Sequence, residues 1–238
     1  AANVQERRAR AEAETASAAK DDFLAMLSHE LRNPLQAISS SVWLIDRPSA
    51  AGESQARAIE ILKRQTEHLA RLVNDLLDVA RLTAGKIALV PQAVNLAEAI
   101  GRNVNALDAA GRLAGRKVEV AAEQIWLRAD PARLDQILSN LIANALKYTP
   151  EGGTIRVSAG HEGSDAVVRV RDDGVGIAPD LLPRVFDLFT QGDRGLARSE
   201  GGLGIGLALV QRLARLHGGS VEARSEGGSF DVATWTIH

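Results

Sequence analysis

The chain has 238 residues, a formal net charge of −2, no cysteine, 45% hydrophobic residues and only 3% aromatic ones. That length is enough for two domains, and their cores must be aliphatic. The balanced charge offers no basic excess for nucleic acid or an anionic membrane surface. The lack of thiols excludes disulfides and thiolate metal sites and is compatible with a reducing cytoplasm.

No run of about 18 apolar residues is present to span a membrane, and no signal-peptide pattern opens the chain. The opening stretch AANVQERRARAEAETASAAKDD is built of strong helix formers without a capping start. A helix is therefore expected to begin upstream of residue 1, making the chain the C-terminal part of something longer.

The helical pattern runs to about Asp46. Leu24, Leu27, Leu31, Leu35, Ile38, Val42 and Ile45 recur at alternating three- and four-residue steps, as on a helix with one apolar seam. His29 points roughly opposite Leu27, Leu31 and Ile38, so an imidazole with Glu30 beside it stands on the wet side of the helix. Pro34 lies inside this helix and predicts a local kink.

Asp46 to Ser54 reads as a turn, with Pro48 and Gly52. A second helix follows, with Ile59, Leu62, Leu69, Leu72, Leu76, Val79 and Leu82 at near-heptad spacing, and fades at Thr83 to Gly85. Two such helices cannot bury both seams as an isolated hairpin, so pairing of two hairpins into a four-helix homodimer is expected. Periodicity alone favours a plainer reading, a structural coiled coil with an incidental histidine.

Beyond Gly85 the texture changes. Lys86 to Val90 and Val118 to Val120 read as strands, with a helix from about Leu96 to Ala114 between them. Leu134 to Tyr148 is amphipathic, and Thr154 to Ser158 and Ala166 to Arg171 alternate as strands. Gly206 to Leu216 is helical, and Ser220 to Ala223 and Phe230 to Ile237 are closing strands. Strands and helices mixed without βαβ regularity predict an α+β sandwich.

Four features of this second region converge. Asn140, Asn144 and Lys147 in NLIANALKYT share one helical stripe, where carboxamides and an ammonium suit hydrated Mg²⁺ and phosphates. In DDGVGI, Asp172 offers an acceptor for an exocyclic amine, and Gly174 and Gly176 permit close approach to a planar base. GGLGIG, Gly201 to Gly206, leads into a helix whose first amides suit an anion. RVFDLF places Phe186 and Phe189 before TQGDRGLARSE, a polar stretch suited to a lid. Taken singly, these are a solvated helix face, a common turn, a flexible loop and core aromatics. Their order and spacing together are specific.

These residues resemble the sensor histidine kinases of two-component systems, over essentially the whole chain. SHELRNPL is similar to the family's H-box, NLIANALKYT to its N-box, DDGVGI to its G1 box, RVFDLF to its F-box and GGLGIG to its G2 box, in the family's order. The resemblance implies an all-α helical hairpin over residues 1–85, forming a four-helix bundle on dimerisation. Residues 86–238 would form an α+β two-layer sandwich of the Bergerat ATP-binding type. It further implies a cytoplasmic catalytic portion, an upstream sensory domain outside this chain, and a response regulator receiver domain as partner.

Residue by residue, the resemblance implies that His29 takes the γ-phosphate of ATP on a ring nitrogen and that Glu30 accepts the imidazole proton. Asn33, four residues on, matches a position that orients water for regulator dephosphorylation. Asn144 matches the Mg²⁺ ligand and Asn140 the polar residue one turn earlier. Lys147 would contact phosphate, Tyr148 would lie against the nucleotide, and Asp172 would accept from the adenine amino group. Gly174, Gly176, Gly202, Gly204 and Gly206 match the loop glycines.

Three positions depart from the family pattern. Asp173 replaces the commoner Asn and adds a negative charge near the expected Mg²⁺ site. Leu203 stands where Thr is frequent, and Gln191 where Arg is frequent, leaving Arg194 or Arg198 to supply charge to the γ-phosphate. His68, His161, His217 and His238 show no metal-ligand spacing. Two rivals remain. A catalytically silent signalling dimer would need a broken box, and every box is chemically complete. A hydrolytic ATPase of the same fold would carry Glu rather than Asn140, because an amide cannot act as a general base.

Overall fold

In the computed structural model, which describes residues 25, 27–46, 52–83, 87–113, 115–190, 203–225 and 230–237, the strongly periodic segments are helices. Contacts divide the chain into two compact units, Ala1–Leu77 with Gly201–Leu203 and Asp78–Glu200 with Gly204–His238. The expected lead-in before residue 25, the turn around Pro48, His238, and the lid positions Gln191, Arg194 and Arg198 lie outside the described residues, as does Gly202. Among the described residues no helix is long and apolar enough to cross a membrane.

The first unit is helical. Helix α1 covers 27–45, and α2 (Glu53–Thr83) follows a turn in which Gly52 takes a left-handed φ of 77°. Pro34, Ser41, Ala58 and Leu72 are buried. Leu35, Val42, Trp43, Ile59, Val73 and Leu77 remain exposed, so the apolar residues exceed what this unit covers by itself.

The second unit is a two-layer sandwich. Its elements are β1 (Gln92–Asn95), α3 (Leu96–Ala109), β2 (Lys117–Ala122), β3 (Trp126–Ala129), α4 (Pro131–Tyr148), β4 (Thr154–Glu162), β5 (Asp165–Asp172), α5 (Gly206–Leu216), β6 (Ala223–Ser225) and β7 (Phe230–Ile237), with a 3-10 turn at Leu182–Arg184. The main sheet has the order β2-β4-β5-β7-β6 and is antiparallel except where β2 pairs with β4, while β1 and β3 form a separate antiparallel pair. The pleat turns Ile155, Val157 and Ala159 of β4 and Val168 and Val170 of β5 inward, and Arg156 and Arg169 outward. Leu134, Ile137, Leu138, Leu141 and Ile142 of α4 fill the core with no exposed surface. Truncating one of these leucines to Ala would cost about 2–5 kcal/mol.

The differences from the sequence reading are local. The strand expected at Lys86 to Val90 is absent over the described residues 87–90, and β1 begins at Gln92. There the register against β3 pairs Gln92 with Ala129 and Asn95 with Trp126. Helix α3 ends at Ala109 rather than Ala114, β4 extends to Glu162, and β6 starts at Ala223. Helix α2 runs to Thr83, yet the second unit begins at Asp78, inside it. Asp78 is buried, its Oδ1 3.3 Å from Arg133 Nη1 and its Oδ2 accepting from Gln136 Nε2 at 2.5 Å.

Candidate functional site

In the first unit His29 and Asn33 are exposed, one helical turn apart on α1, and Glu30 is half-buried. Leu27 and Leu31, on either side in sequence, are half-buried, so helical spacing turns the imidazole away from the apolar seam.

In the second unit α4 and α5 bring two motifs together. Asn140, Asn144 and Lys147 are half-buried at the margin of the α4 core face. Helix α5 starts at Gly206, and its preceding residue Ile205 provides no side-chain cap for the first-turn amides. A β-carbon on Gly206 would lie 3.6 Å from Asn140 Oδ1 and 3.9 Å from Asn144 Nδ2. The two carboxamides therefore face the start of α5, where main-chain N–H groups favour an anion.

Asp172 ends β5 on its inward face and is 2% exposed. Its Oδ1 accepts the Gly174 amide at 2.9 Å. The turn that follows is pressed on the end of α4: a β-carbon on Gly174 would fall 2.4 Å from the Tyr148 carbonyl oxygen, and Val175 donates its N–H to that oxygen at 3.3 Å. Only glycine fits. Gly176 has φ 69°, and Ile177 donates its amide to Ser225 Oγ at 2.8 Å, fixing the far side of the turn to β6. Lys147 Nζ lies 5.1 Å from the Tyr148 ring centroid, a cation–π contact that holds the ammonium beside this turn.

The F-box ends against the G2 turn. Phe189 has a φ of 67° and donates its N–H to Gly204 O at 3.0 Å. Gly204 has φ 66°, and a β-carbon there would meet Thr190 O at 2.7 Å. Leu203 and Ile205, on either side of it, are buried.

Several residues of this region carry roles that the motif reading missed. Asp173 Oδ1 accepts the Thr154 amide at 2.7 Å, so its carboxylate is engaged with the start of β4. Asp130 caps α4, accepting from Ala132 and Arg133 amides through Oδ1 and from Val90 through Oδ2. Burial opposes ionisation of Asp130, but the Val90, Arg133 and Ala132 amides and the Arg133 charge outweigh it and hold the carboxyl below its ordinary pKa. The Asp-Pro step at the helix start was a readable signal for this cap. Arg116 Nε donates to Thr149 O at 2.8 Å at the other end of α4.

The donor set suits Mg²⁺ carried with phosphate. Carboxamide oxygens are hard ligands, and glycine at 206 leaves room beside both of them. No cluster of three or more His, Cys, Asp or Glu suited to a metal exists among the described residues.

Comparison with known proteins decides the family. Residues 19–85 match the family model described as His Kinase A (phospho-acceptor) domain. Residues 129–237 match that described as histidine kinase-, DNA gyrase B-, and HSP90-like ATPase. This chain carries the catalytic core of a sensor histidine kinase. The histidine kinase core is 37% identical over 235 residues to the circadian input-output histidine kinase CikA of Synechococcus elongatus, covering 92% of this chain and 30% of that protein. It is 34% identical over 247 residues to the autoinducer 2 sensor kinase/phosphatase LuxQ of Vibrio parahaemolyticus, covering 99% of this chain and 28% of that protein. Full-length ShkA, solved in complex with AMPPNP, is 31% identical with a TM-score of 0.64, over 90% of this chain and 45% of that one. The chain thus spans less than half the length of these relatives.

Proposed function

We propose that this core transfers the γ-phosphate of ATP to His29 and passes it on to an aspartate of a response regulator. The reading is supported by an exposed imidazole on a helical hairpin and by a second unit in which Gly206 faces Asn140 and Asn144 while the turn after the buried Asp172 is pressed on the end of the same helix α4. The ring nitrogen of His29 attacks the γ-phosphorus, the bond from phosphorus to the bridging oxygen breaks, and ADP leaves. Glu30 takes the imidazole proton. Asn144, with Asn140 beside it, would hold Mg²⁺, which would supply positive charge against that of the phosphates. Lys147 contacts phosphate, Tyr148 lies against the nucleotide, and Asp172 accepts from the adenine amine. Gly174, Gly176, Gly202, Gly204 and Gly206 let backbone approach it.

A homodimer through the hairpin is supported by the apolar residues left exposed on α1 and α2, among them Leu35, Val42, Ile59 and Val73. Charge balance speaks against nucleic acid as partner, and the upstream sensory domain belongs to the longer protein. The catalytic portion works in the cytoplasm, where ATP and receiver domains are found.

Replacing Asp172 with Asn tests the nucleotide reading, because the amide presents a donor to another donor. Loss of ATP binding with an unchanged circular-dichroism spectrum is expected, and undiminished binding contradicts the assignment. A regulator phosphatase activity is favoured by Asn33, exposed one turn after His29, and by the kinase/phosphatase name of the LuxQ relative. Asn33→Ala should spare labelling of His29 and slow regulator dephosphorylation; an unaltered rate removes Asn33 from that role.

A further inference from the structure

The residues that close the far end of the α4–α5 pair form a cluster that the motifs do not assign. His217 caps the C-terminus of α5, and its ring is half-buried. Its Nε2 accepts the main-chain N–H of Asp130 at 3.1 Å. Its Nδ1 lies 2.8 Å from the Leu213 carbonyl oxygen. A carbonyl can only accept, so the proton resides on Nδ1 and the ring is neutral, with the Nε2 lone pair in use. Asp130 is in turn the N-cap of α4, its carboxylate holding the amides of Val90, Ala132 and Arg133. The start of α4 and the end of α5 are thus pinned by one imidazole.

The opposite end of the same helix pair is where Gly206 meets Asn140 and Asn144. About 16 Å of α5 separates Gly206 from His217, and about 15–21 Å of α4 separates Asp130 from the two asparagines. These lengths match, so the pin at one end sets how far α5 is advanced along α4 at the other.

We propose that His217, as its neutral Nδ1–H tautomer, is a positioning residue that holds the first turn of α5 in register with Asn140 and Asn144. Its protonation would release that register and weaken nucleotide binding. The inference rests on the nucleotide-binding reading above. Protonation puts a second N–H where the Asp130 amide already points, so two donors meet and the bond is lost. Among the described residues, the charged groups on the neighbouring elements include the Asp130 carboxylate and Arg133 at the start of α4, Asp78 paired with Arg133, Arg128 on β3, and Arg212 and Arg215 on α5; residues 87–91 carry none. Both Asp130 oxygens accept main-chain amides, and Nε2 faces the Asp130 amide rather than either carboxylate oxygen.

The test is affinity for a fluorescent ATP analogue with Mg²⁺ between pH 8 and pH 5.5, in the whole chain. The wild type should lose threefold or more in affinity on acidification beyond the loss seen with His217→Gln, whose amide oxygen accepts the same Asp130 N–H at every pH. Titration of the nucleotide's own phosphate is common to both proteins. His217→Lys should bind weakly throughout while keeping its circular-dichroism spectrum. Superimposable profiles for wild type and His217→Gln overturn the proposal. Ring ¹⁵N shifts of His217 at pH 8 give an independent reading: the Nδ1–H tautomer supports the pin and the Nε2–H tautomer overturns it. Absence of binding by the wild type at pH 8 would contradict the kinase reading, and the ring shifts would still decide the pin.

Discussion

Gly206, the first residue of α5, stands against Asn140 of α4, so close that a β-carbon on it would lie 3.6 Å from the carboxamide oxygen. This contact joins two motifs separated by the whole of β4, β5 and the F-box. It also limits what can stand there: a bare β-carbon would make ordinary contact, whereas a branched side chain would fill the space between the α5 amides and the asparagine pair.

Gly206→Val should therefore lower affinity for Mg²⁺-ATP at least tenfold, about 1.4 kcal/mol. The substituted position is in a helix and has ordinary φ, so the far-ultraviolet circular dichroism should be preserved. Isothermal titration with Mg²⁺-ATP checks this, and wild-type affinity would show that the space beside Asn140 and Asn144 is not used by the nucleotide.

Asp130 ties α4 to Val90 and, through its amide, to His217. Asp130→Ala should cost about 0.5–2 kcal/mol for the lost cap, with a further loss from the Val90 amide it strands. Its folded carboxyl is held below the ordinary value, so its charge contributes stability above the unfolded pKa of about 3.9, and that contribution disappears as pH falls through the lower folded value. Urea denaturation of wild type and Asp130→Asn should accordingly show their full difference above about pH 4 and converge only as the pH falls below it, through the lower folded value. A gap that widens on acidification would contradict the sign.

The carboxylate of Asp173 accepts the Thr154 amide, a role that an asparagine oxygen fills equally well. Asp173→Asn should change stability by less than about 0.5 kcal/mol and leave the Mg²⁺ concentration for half-maximal labelling within twofold. Asp173→Ala should cost about 1 kcal/mol for the orphaned amide. A large shift in Mg²⁺ requirement for Asp173→Asn would place this charge in the metal's surroundings after all.

The sequence made the long amphipathic elements legible and left the short and non-local ones hidden. Helix α5 is read to the residue, because Gly206 opens it and the apolar stripe through Leu209, Val210 and Leu213 ends at His217. Strand β3 was missed: four residues with an exposed Trp126 give no alternation to recognise. Ile87 and Leu89 alternate like a strand, but the pairing partner lies opposite Gln92–Asn95, so β1 forms there. The site motifs were visible as local strings of chemically committed residues. The partners of His217 and Asp173 were not, because each bonds a main-chain amide distant in sequence, and amides leave no mark in composition or spacing.

The central claim is that His29 is the phosphoryl acceptor, and labelling with γ-³²P-ATP and Mg²⁺ tests it most directly. The wild type should gain label that is lost in acid and kept in base, as expected for phosphohistidine, while His29→Gln should gain none and still bind nucleotide. Label that persists on the His29→Gln protein would contradict the account.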